Sequence, residues 1–464
     1  MSLSAIMIYE VRTTGSDTQC SGGFNPTAGG TDYTLQSAAQ FSGTDLVINA
    51  TTNTIVTSAT HNFVSADVGN TIRVTGAGTG FVITTYEIIS VSANAATLDR
   101  SPGPVGSTGG VWWEGGAFAS PGKAAGVMNA GNDMFIKAGT YTITSATPNI
   151  SGGCLSLTTQ TSNANLLRVI GYTTNRNAGN TDVRPLIKAD NVITNFVLIT
   201  SNTGNIIENL ELNGNSRGTS AGLNCASGSG HAYRVKGSNF TNYFINSGSA
   251  TMVAQCEATG CSGTPFQGGY FYFCTAYSNT NIGFSGTITI GCISVNNSGA
   301  GSDGFVVPNQ GQMINCTAYG NGRNGFNLTA GAGGNTLINC LAVNNAGYGY
   351  TASAAADGAY LFNCAGYNNT SGLVNTSFIL MAQQIGLVTL TAAPFNNAAG
   401  NDFSLNNVVG GGRLLRAGGI PNVANPFPSL STPNYLDIGA AQHIDAGNIF
   451  PIKQVSAPHR RIFG

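Results

Sequence analysis

The sequence predicts an all-β chain built as a parallel β-helix, a solenoid of about eleven coils, with a small antiparallel β-module near its N-terminus. The first observation behind this prediction is a row of cysteines that recurs at steps of 18 residues and then of 24. They are Cys256, Cys274, Cys292, Cys316, Cys340 and Cys364. The second is composition, because Gly, Asn, Thr and Ser dominate repeats that are also too short for two helices. Such a repeat fits three short strands that stack on the next coil as in a parallel sheet.

Two further rows keep the period of the cysteines. An aromatic residue follows ten positions after the cysteine, except in the Cys292 coil, where a loop insertion of three residues is predicted. These aromatics are Phe266, Phe284, Phe305, Phe326 and Tyr350. The asparagines five positions after the cysteine are Asn279, Asn297, Asn321, Asn345 and Asn369. We expect their amides to hydrogen-bond along the axis, and we expect stacked free thiols because parallel neighbours hold their Cβ atoms too far apart for a disulfide.

The elements follow one another in four segments. Residues 1–43 form an N-terminal segment and cap, in which TDYTLQSAAQF (31–41) predicts a short helix over the open end of the solenoid. Residues 44–124 alternate apolar and polar residues between turn signals, which predicts the antiparallel β-module and a linker. Residues 125–380 form the β-helix, whose first coil is NDMFIKAGTYTI (132–143). In residues 381–464 the period fades and prolines accumulate, which indicates a C-terminal strap and tail.

Composition excludes several classes of partner. Lys and Arg number 18 against 19 Asp and Glu in 464 residues, so a nucleic-acid groove or an anionic-membrane surface has no electrostatic basis. The start, MSLSAIMIYEVRTTG, lacks the features of a signal peptide, and we expect a chain that is synthesised in the host cytoplasm and is not inserted into a membrane. No metal and no cofactor are expected, because the close pair Cys256 and Cys261 has no second pair at zinc-site spacing. His61 is isolated in sequence and is expected to be a surface or packing residue.

Ionisable residues are sparse where the repeat is clearest. Between residues 258 and 401 the charged side chains are Asp303, Arg323 and Asp357, whereas ordinary glycoside hydrolysis needs two carboxylates at a set separation. The earlier coils are richer in charge. The candidate catalytic residues there, one from each of three successive coils, are Glu211, His231 and Glu257. The alternative is that they are solvated charges that keep the solenoid soluble.

A row of tyrosine and valine lies three residues after each cysteine. If the cysteine points inward, strand alternation points this row outward. The row consists of Tyr277, Val295, Tyr319, Val343 and Tyr367. Three interpretations stay open for such an outward apolar row: contact with symmetry mates in a homotrimer, stacking on sugar rings, or cover by the C-terminal strap.

Several segments resemble a known family. NDMFIKAGTYTI (132–143), NCTAYGNGRNGF (315–326) and NYLDIGAAQH (434–443) resemble the pectate-lyase-like right-handed parallel β-helix superfamily. FVSADVGNTIRVTG (63–76) is similar to small β-modules in phage tailspikes and related virion proteins. The resemblance covers about residues 125–443 and implies a right-handed solenoid, but the superfamily includes lyases, hydrolases, adhesins, tailspikes and capsid-decorating proteins, so the fold alone does not decide the function.

These observations lead us to expect a structural or adhesive protein of a bacteriophage virion surface, either a capsid decoration (cement) protein or a tailspike. Its expected partners are two further copies in a homotrimer, neighbouring virion proteins and, as a further candidate, a host-surface polysaccharide. The alternative is a polysaccharide depolymerase, a lyase or glycoside hydrolase, on the same scaffold. A cell-surface adhesin would need an export signal, which the sequence does not show.

Overall fold

The computed structural model describes most of the chain, and the residue ranges that it describes are 6–76, 80–147, 150–151, 154–157, 166–176, 183–192, 197–200, 205–218, 221–225, 230–329, 334–352, 359–379, 383–420 and 436–442. The chain divides into two compact units, Met1–Lys236 and Gly237–Gly464. Among the described residues, no helix has the length and apolar character that crossing a membrane requires.

The first unit contains solenoid coils with three faces, and on each face the strands of successive coils pair in parallel. The strands of the first face are Ile8–Val11, Asp133–Lys137, Leu167–Tyr172, Asn205–Glu208 and His231–Tyr233. Those of the second face are Cys154–Leu157, Val197–Thr200 and Leu223–Cys225. Those of the third face are Thr140–Ile143, Leu186–Ala189 and Glu211–Asn213. Two short strands pair antiparallel at the side of these ladders, Gly23–Phe24 with Ile8–Val11 and Ile150–Ser151 with Cys154–Leu157.

An antiparallel barrel lies in the chain between the first two coil strands. It closes through six strands, in the order Phe41–Ile48, Ile55–Thr57, Ala95–Leu98, Thr85–Ser92, Thr71–Gly76 and Gly110–Glu114. Its interior is an apolar cluster in which Trp112, Tyr86 and Phe63 are the largest buried side chains. A 3-10 turn at Ser65–Asp67 precedes one strand, and the helix Pro121–Ala125 follows the barrel. The predicted β-module is therefore present.

Two expectations for the N-terminal region are wrong. The helix predicted over residues 31–41 is only a 3-10 turn at Tyr33–Leu35, because Asp32 caps that turn and barrel strand Phe41–Ile48 begins soon after it. The first coil strand is Ile8–Val11 rather than a strand of residues 132–143, since Ile8–Val11 pairs in parallel with Asp133–Lys137. The barrel is thus inserted after the first coil strand, not before it.

The second unit repeats the three faces with a regular register. Its first face comprises Ile245–Ala254, Phe266–Tyr272, Phe284–Ser285, Phe305–Val307, Phe326–Leu328, Tyr348–Ala352 and Gly372–Val374. Its second face comprises Ile288–Ile290, Gln312–Ile314, Thr336–Ile338, Tyr360–Phe362 and Gln384–Ile385. Its third face comprises Glu257–Thr259, Thr275–Tyr277, Ile293–Val295, Thr317–Tyr319, Leu341–Val343, Ala365–Tyr367 and Val388–Thr389. The strand Lys236–Ser238 contains the boundary between the units. The prediction of a parallel β-helix is confirmed by these ladders.

The interior rows of the second unit follow the predicted period. The six cysteines are fully buried free thiols, and burial raises the pKa of Cys274, Cys340 and Cys364 well above its ordinary value. The aromatic rings stack from coil to coil, with centroids 4.7 Å apart for Phe266 and Phe284 and 4.8 Å apart for Phe305 and Phe326. The register Phe284 to Phe305 confirms the predicted loop insertion.

The asparagine row forms the predicted hydrogen-bonded ladder. Asn279 Nδ2 donates to Asn297 Oδ1, Asn297 Nδ2 to Asn321 Oδ1, and Asn321 Nδ2 to Asn345 Oδ1, each at 2.9 Å. Asn345 Nδ2 continues the ladder to Asn369 Oδ1 at 2.8 Å. Each of these oxygens also accepts the backbone N–H of the preceding asparagine in the row. The buried amides of the repeat therefore satisfy one another.

The C-terminal part of the second unit contains a hairpin of Phe395–Asn397 and Asp402–Leu405, which a 3-10 turn at Ala398–Gly400 joins. The helical turn Gly412–Leu415 follows. The residues from 390 to 420 and from 436 to 442 are called the C-terminal segment below.

Candidate functional site

The three sequence-predicted catalytic candidates are divided between two faces, with Glu211 and Glu257 on third-face strands and His231 on a first-face strand. Glu211 begins the third-face strand Glu211–Asn213 and lies in register with Leu186. His231 begins the first-face strand His231–Tyr233 and lies in register with Ile206. Burial lowers the pKa of His231, which favours the neutral imidazole. Glu257 begins a third-face strand of the second unit, in register with Thr275. Glu211 and His231 thus belong to different sheets of the solenoid.

A group of charged residues around Glu10 in the first unit has its hydrogen-bonding atoms occupied by one another. Glu10 is fully buried, and its Oε1 accepts hydrogen bonds from Arg12 Nε at 2.8 Å and from the Tyr172 hydroxyl. Its Oε2 accepts from Arg176 Nε at 2.8 Å. Arg176 also donates to Asp32 Oδ2 at 2.6 Å. Burial and the Glu10 charge raise the pKa of Tyr172. Both oxygens of Glu10 are engaged and the phenol stays protonated, so this group is suited to holding strands together rather than to proton transfer.

Asp303, a buried carboxylate in the coils of the second unit, is also saturated with hydrogen-bond donors. Asp303 is fully buried beside the loop insertion, and Arg323 pairs with it through Nε at 2.7 Å and through a second guanidinium nitrogen. Asn324 Nδ2 donates to Asp303 Oδ1 at 3.0 Å, and Asn327 Nδ2 donates to Oδ2 at 2.8 Å. Asp357 lies outside the described residues. Because both oxygens of Asp303 are occupied by donors from the chain itself, this carboxylate has no free atom to offer a substrate.

The outward row predicted from the cysteine period exists, and the C-terminal segment covers it. The strand registers bring Tyr277, Val295, Tyr319, Val343 and Tyr367 into one line. Val295 and Val343 are each 1% exposed and pack in one apolar cluster with Phe395, Phe403 and Leu405. The Tyr319 ring lies edge-on to Phe395 and Phe403, at centroid distances of 5.9 and 5.4 Å. Of the three interpretations, the structure shows cover by the strap, and the covering side chains occupy the surface that trimer contact or sugar stacking would use.

The C-terminal segment is held by polar residues that the sequence reasoning missed. Asn315, Asn339 and Asn363 immediately precede three of the cysteines and have left-handed φ values of 52°, 53° and 50°; they are called the corner asparagines below. Asn315 Nδ2 donates to the Asp437 carbonyl at 2.6 Å, and Asn363 Nδ2 donates to the Gly418 carbonyl at 2.6 Å. Asn339 Oδ1 accepts the Ile420 N–H at 2.9 Å. The repeated Asn-Cys pair was the available signal, because asparagine is the non-glycine residue that best tolerates this conformation while offering a free amide.

Exposed apolar side chains remain outside the covered row. In the barrel, Val82 is 54% exposed and Ile83 64%, and in the C-terminal segment Val409 is 75% exposed beside Val408 and Leu414. Single exposed apolar residues are ordinary, but neighbouring ones on loops are typical of contact surfaces. These positions are candidates for contacts with other molecules.

The architecture follows from three faces on which the strands of successive coils pair in parallel and in register. The chain is a parallel β-helix protein. This β-helix protein is similar to the Azotobacter vinelandii mannuronan C-5 epimerase AlgE4 A-module, at 15% identity and a TM-score of 0.40 over 62% of this chain and 79% of the other. It is similar to pectate lyase Pel9A, at 16% identity and a TM-score of 0.38 over 70% of this chain and 92% of that one. It is also similar to ORF18 of Geobacillus virus E2, at 12% identity and a TM-score of 0.33 over 69% of each chain.

The parallel β-helix expected from the sequence is present in the strand ladders of this β-helix protein, and no activity carries over from structures that are this dissimilar in sequence. No family model matches the chain, and no curated protein matches its sequence.

One cluster in the barrel has the composition of a metal site. His61, Asp67 and Glu114 each offer a ligand atom, and these three atoms lie within 4.8 Å of one another. His61 Nε2 lies 2.9 Å from Asp67 Oδ2, which also accepts the Val64 N–H at 2.7 Å. Asp67 and Glu114 are fully buried. The three residues are called the barrel cluster below. Their distant positions in the sequence match no ligand motif, so sequence reasoning missed them.

Proposed function

We propose that this β-helix protein is a structural or adhesive component of a bacteriophage virion surface, either a capsid decoration protein or a tailspike. The observation that carries the proposal is the state of the carboxylates on the coils. Glu10 and Asp303 are buried and saturated with donors, so they serve the scaffold. Coils that are poor in charge over residues 258–401, and whose buried carboxylates Glu10 and Asp303 are bonded internally, suit binding and assembly better than bond cleavage, which needs an available acid and base. The resemblance of residues 63–76 to virion β-modules supports the phage assignment.

The proposal includes a homotrimer and contacts with neighbouring virion proteins or a host-surface polysaccharide. Because the C-terminal segment covers the outward row, we assign these contacts to other surfaces, with the exposed Val409 and Ile83 as the first positions to examine. Light scattering of the purified chain tests the trimer: three copies of the 47.4 kDa chain are expected, and a monomer at micromolar concentration would contradict this part of the proposal.

Immunogold labelling of the source particles in negative stain tests the function itself. Label over the whole capsid would support a decoration protein, and label at the tail tip would support a tailspike. Label on cells without particles would contradict both.

The depolymerase alternative predicts release of reducing ends or unsaturated sugars from a host polysaccharide. Under that alternative, activity should fall at least about 100-fold in Glu211→Gln, His231→Gln or Glu257→Gln. Polysaccharide cleavage that these substitutions abolish would overturn the assignment to a non-catalytic role.

A further inference from the structure

The barrel contains buried acidic atoms that the chain leaves unsatisfied. Glu114 ends strand Gly110–Glu114 and lies in register with Phe41 on one side and Ile72 on the other. Burial alternates along this strand, and Glu114 and Trp112 are both at buried positions, so both side chains point into the barrel. Neither carboxylate oxygen of Glu114 has a hydrogen-bonding partner among the described residues, and the same holds for Asp67 Oδ1.

Burying an ionised carboxylate without a partner costs several kcal/mol, more than most single interactions contribute to a fold. Two other buried carboxylates, Glu10 and Asp303, have donors on both of their oxygens. A bound cation or a bound proton would each remove the penalty, and the two have different consequences for the surrounding groups.

We propose that the barrel cluster binds one divalent transition-metal ion of the zinc class, with His61, Asp67 and Glu114 as its protein ligands. One imidazole nitrogen and two carboxylate oxygens form a donor set that zinc accepts, and water completes the shell in sites with three protein ligands. The three ligand atoms already converge within 4.8 Å. Metal–ligand bonds of about 2.0–2.2 Å in a tetrahedral site place the ligand atoms about 3.4 Å apart, so His61 Nε2 and Asp67 Oδ2, now 2.9 Å apart, would separate slightly to admit the ion. The proposal is independent of the virion function.

The surroundings fix the ligands in place. The His61 ring stacks on Phe41 with a centroid distance of 3.8 Å and lies 6.0 Å from Trp112. Asp45 holds the loop that carries His61, because its carboxylate accepts hydrogen bonds from Ser58 Oγ at 2.8 Å and from the Thr60 N–H at 2.7 Å. Pre-positioned ligands and their supporting hydrogen bonds are the usual setting of a metal site. The ion would join the end of a strand, a loop and the Ser65–Asp67 turn, so its role is to stabilise the barrel.

Zinc uptake by the full-length chain tests the proposal. The protein is stripped with a chelator and dialysed, and then titrated with Zn²⁺ alone, with Mn²⁺ and Ca²⁺ in parallel. We expect one tightly bound Zn²⁺ per chain by elemental analysis. A Zn²⁺ concentration about 100 times Kd should raise the melting temperature by a few degrees.

Three variants make the test specific. Glu114→Gln keeps the shape of the side chain and should weaken zinc binding at least about 10-fold, as should His61→Gln. The matched control is Glu87→Gln, because Glu87 is 4% exposed in the same barrel but pairs with Asn25 at 2.7 Å outside the barrel cluster. Its zinc affinity should equal that of the native chain.

Two results would overturn the proposal. One is a stripped native chain that takes up no Zn²⁺, Mn²⁺ or Ca²⁺ at about 1 mM while remaining folded, which would assign the cluster to a shared proton. The other is equal zinc uptake by the native chain and by Glu114→Gln, with circular dichroism showing that both are folded.

Discussion

The coils of the second unit and the barrel of the first unit differ in how a row or cluster of buried polar side chains is hydrogen-bonded. In the coils, each ladder asparagine finds its partner in the equivalent asparagine of the neighbouring coil, as Asn297 does with Asn321 at 2.9 Å. In the barrel no element is repeated, and Glu114 has no partner among the described residues. A repeat can satisfy a polar row with copies of itself, whereas a single closed barrel must satisfy each buried group individually. The asparagine ladder is therefore satisfied by the chain itself, and the barrel cluster is where we infer that a ligand is needed.

The largest expected effect comes from the stacked rings of the coils. Phe305 lies between Phe284 and Phe326, with centroids at 5.0 and 4.8 Å, and it is fully buried. Phe305→Ala should destabilise the second unit by about 4 kcal/mol, since it removes the buried ring and leaves a cavity. Hydrogen exchange should accelerate in the neighbouring coils and stay unchanged in the barrel. Equal acceleration of hydrogen exchange in the coils and in the barrel would contradict the view that the two regions are stabilised separately.

The next effect in size concerns the asparagine ladder. Asn321→Ala removes the acceptor of Asn297 Nδ2 and the donor to Asn345 Oδ1, and it leaves buried amide groups unpaired. We expect a loss of about 3 kcal/mol, measured as a lower melting temperature by calorimetry. Asn368→Gly is the control, because glycine keeps the left-handed φ of 50° at Asn368 and the Asn368 Nδ2 that it removes bonds to Asn344 Oδ1 on the exposed surface. If the two variants melt alike, the ladder does not stabilise the coils as described.

A smaller effect is expected at the corner asparagines. Asn339→Gly keeps the left-handed backbone conformation but deletes the amide that accepts the Ile420 N–H. It should cost about 1.5 kcal/mol and make residues 436–442 more accessible to limited proteolysis. Asn344→Gly is matched in conformation, with φ 56°, and should leave the cleavage rate at the native level. Unchanged cleavage in Asn339→Gly would mean that apolar packing alone holds the C-terminal segment.

The smallest effect is a pH dependence in the first unit. Burial lowers the pKa of His231, so the unfolded chain binds its proton more readily than the folded chain does. This contribution to stability is complete above the unfolded value of about 6.5 and is lost as the pH falls through that value toward the folded one. Melting curves between pH 7.5 and 5 should show a shallower decline for His231→Gln than for the native chain. A steeper decline of the melting temperature in His231→Gln would mean that folding raises the pKa of His231 rather than lowering it.

The sequence predicted the rows of the second unit well because equivalent residues recur in several successive coils. The cysteine period located the aromatic stack, the asparagine ladder and even the loop before Phe305. It did not reveal that Asn315 and its equivalents hold the C-terminal segment, since their partners, such as Asp437, lie far along the chain and do not repeat. The barrel cluster was missed for the same reason, because barrel closure alone brings Glu114 to His61.

The most direct test of this account compares two substitutions in the metal-free chain by calorimetry. Asn321→Ala deletes a polar group whose bonds the coils complete, whereas Glu114→Gln neutralises a buried carboxylate that the barrel leaves unpaired. The account predicts a melting temperature several degrees lower for Asn321→Ala and an unchanged or higher one for Glu114→Gln. A decrease in Glu114→Gln as large as that in Asn321→Ala would contradict it.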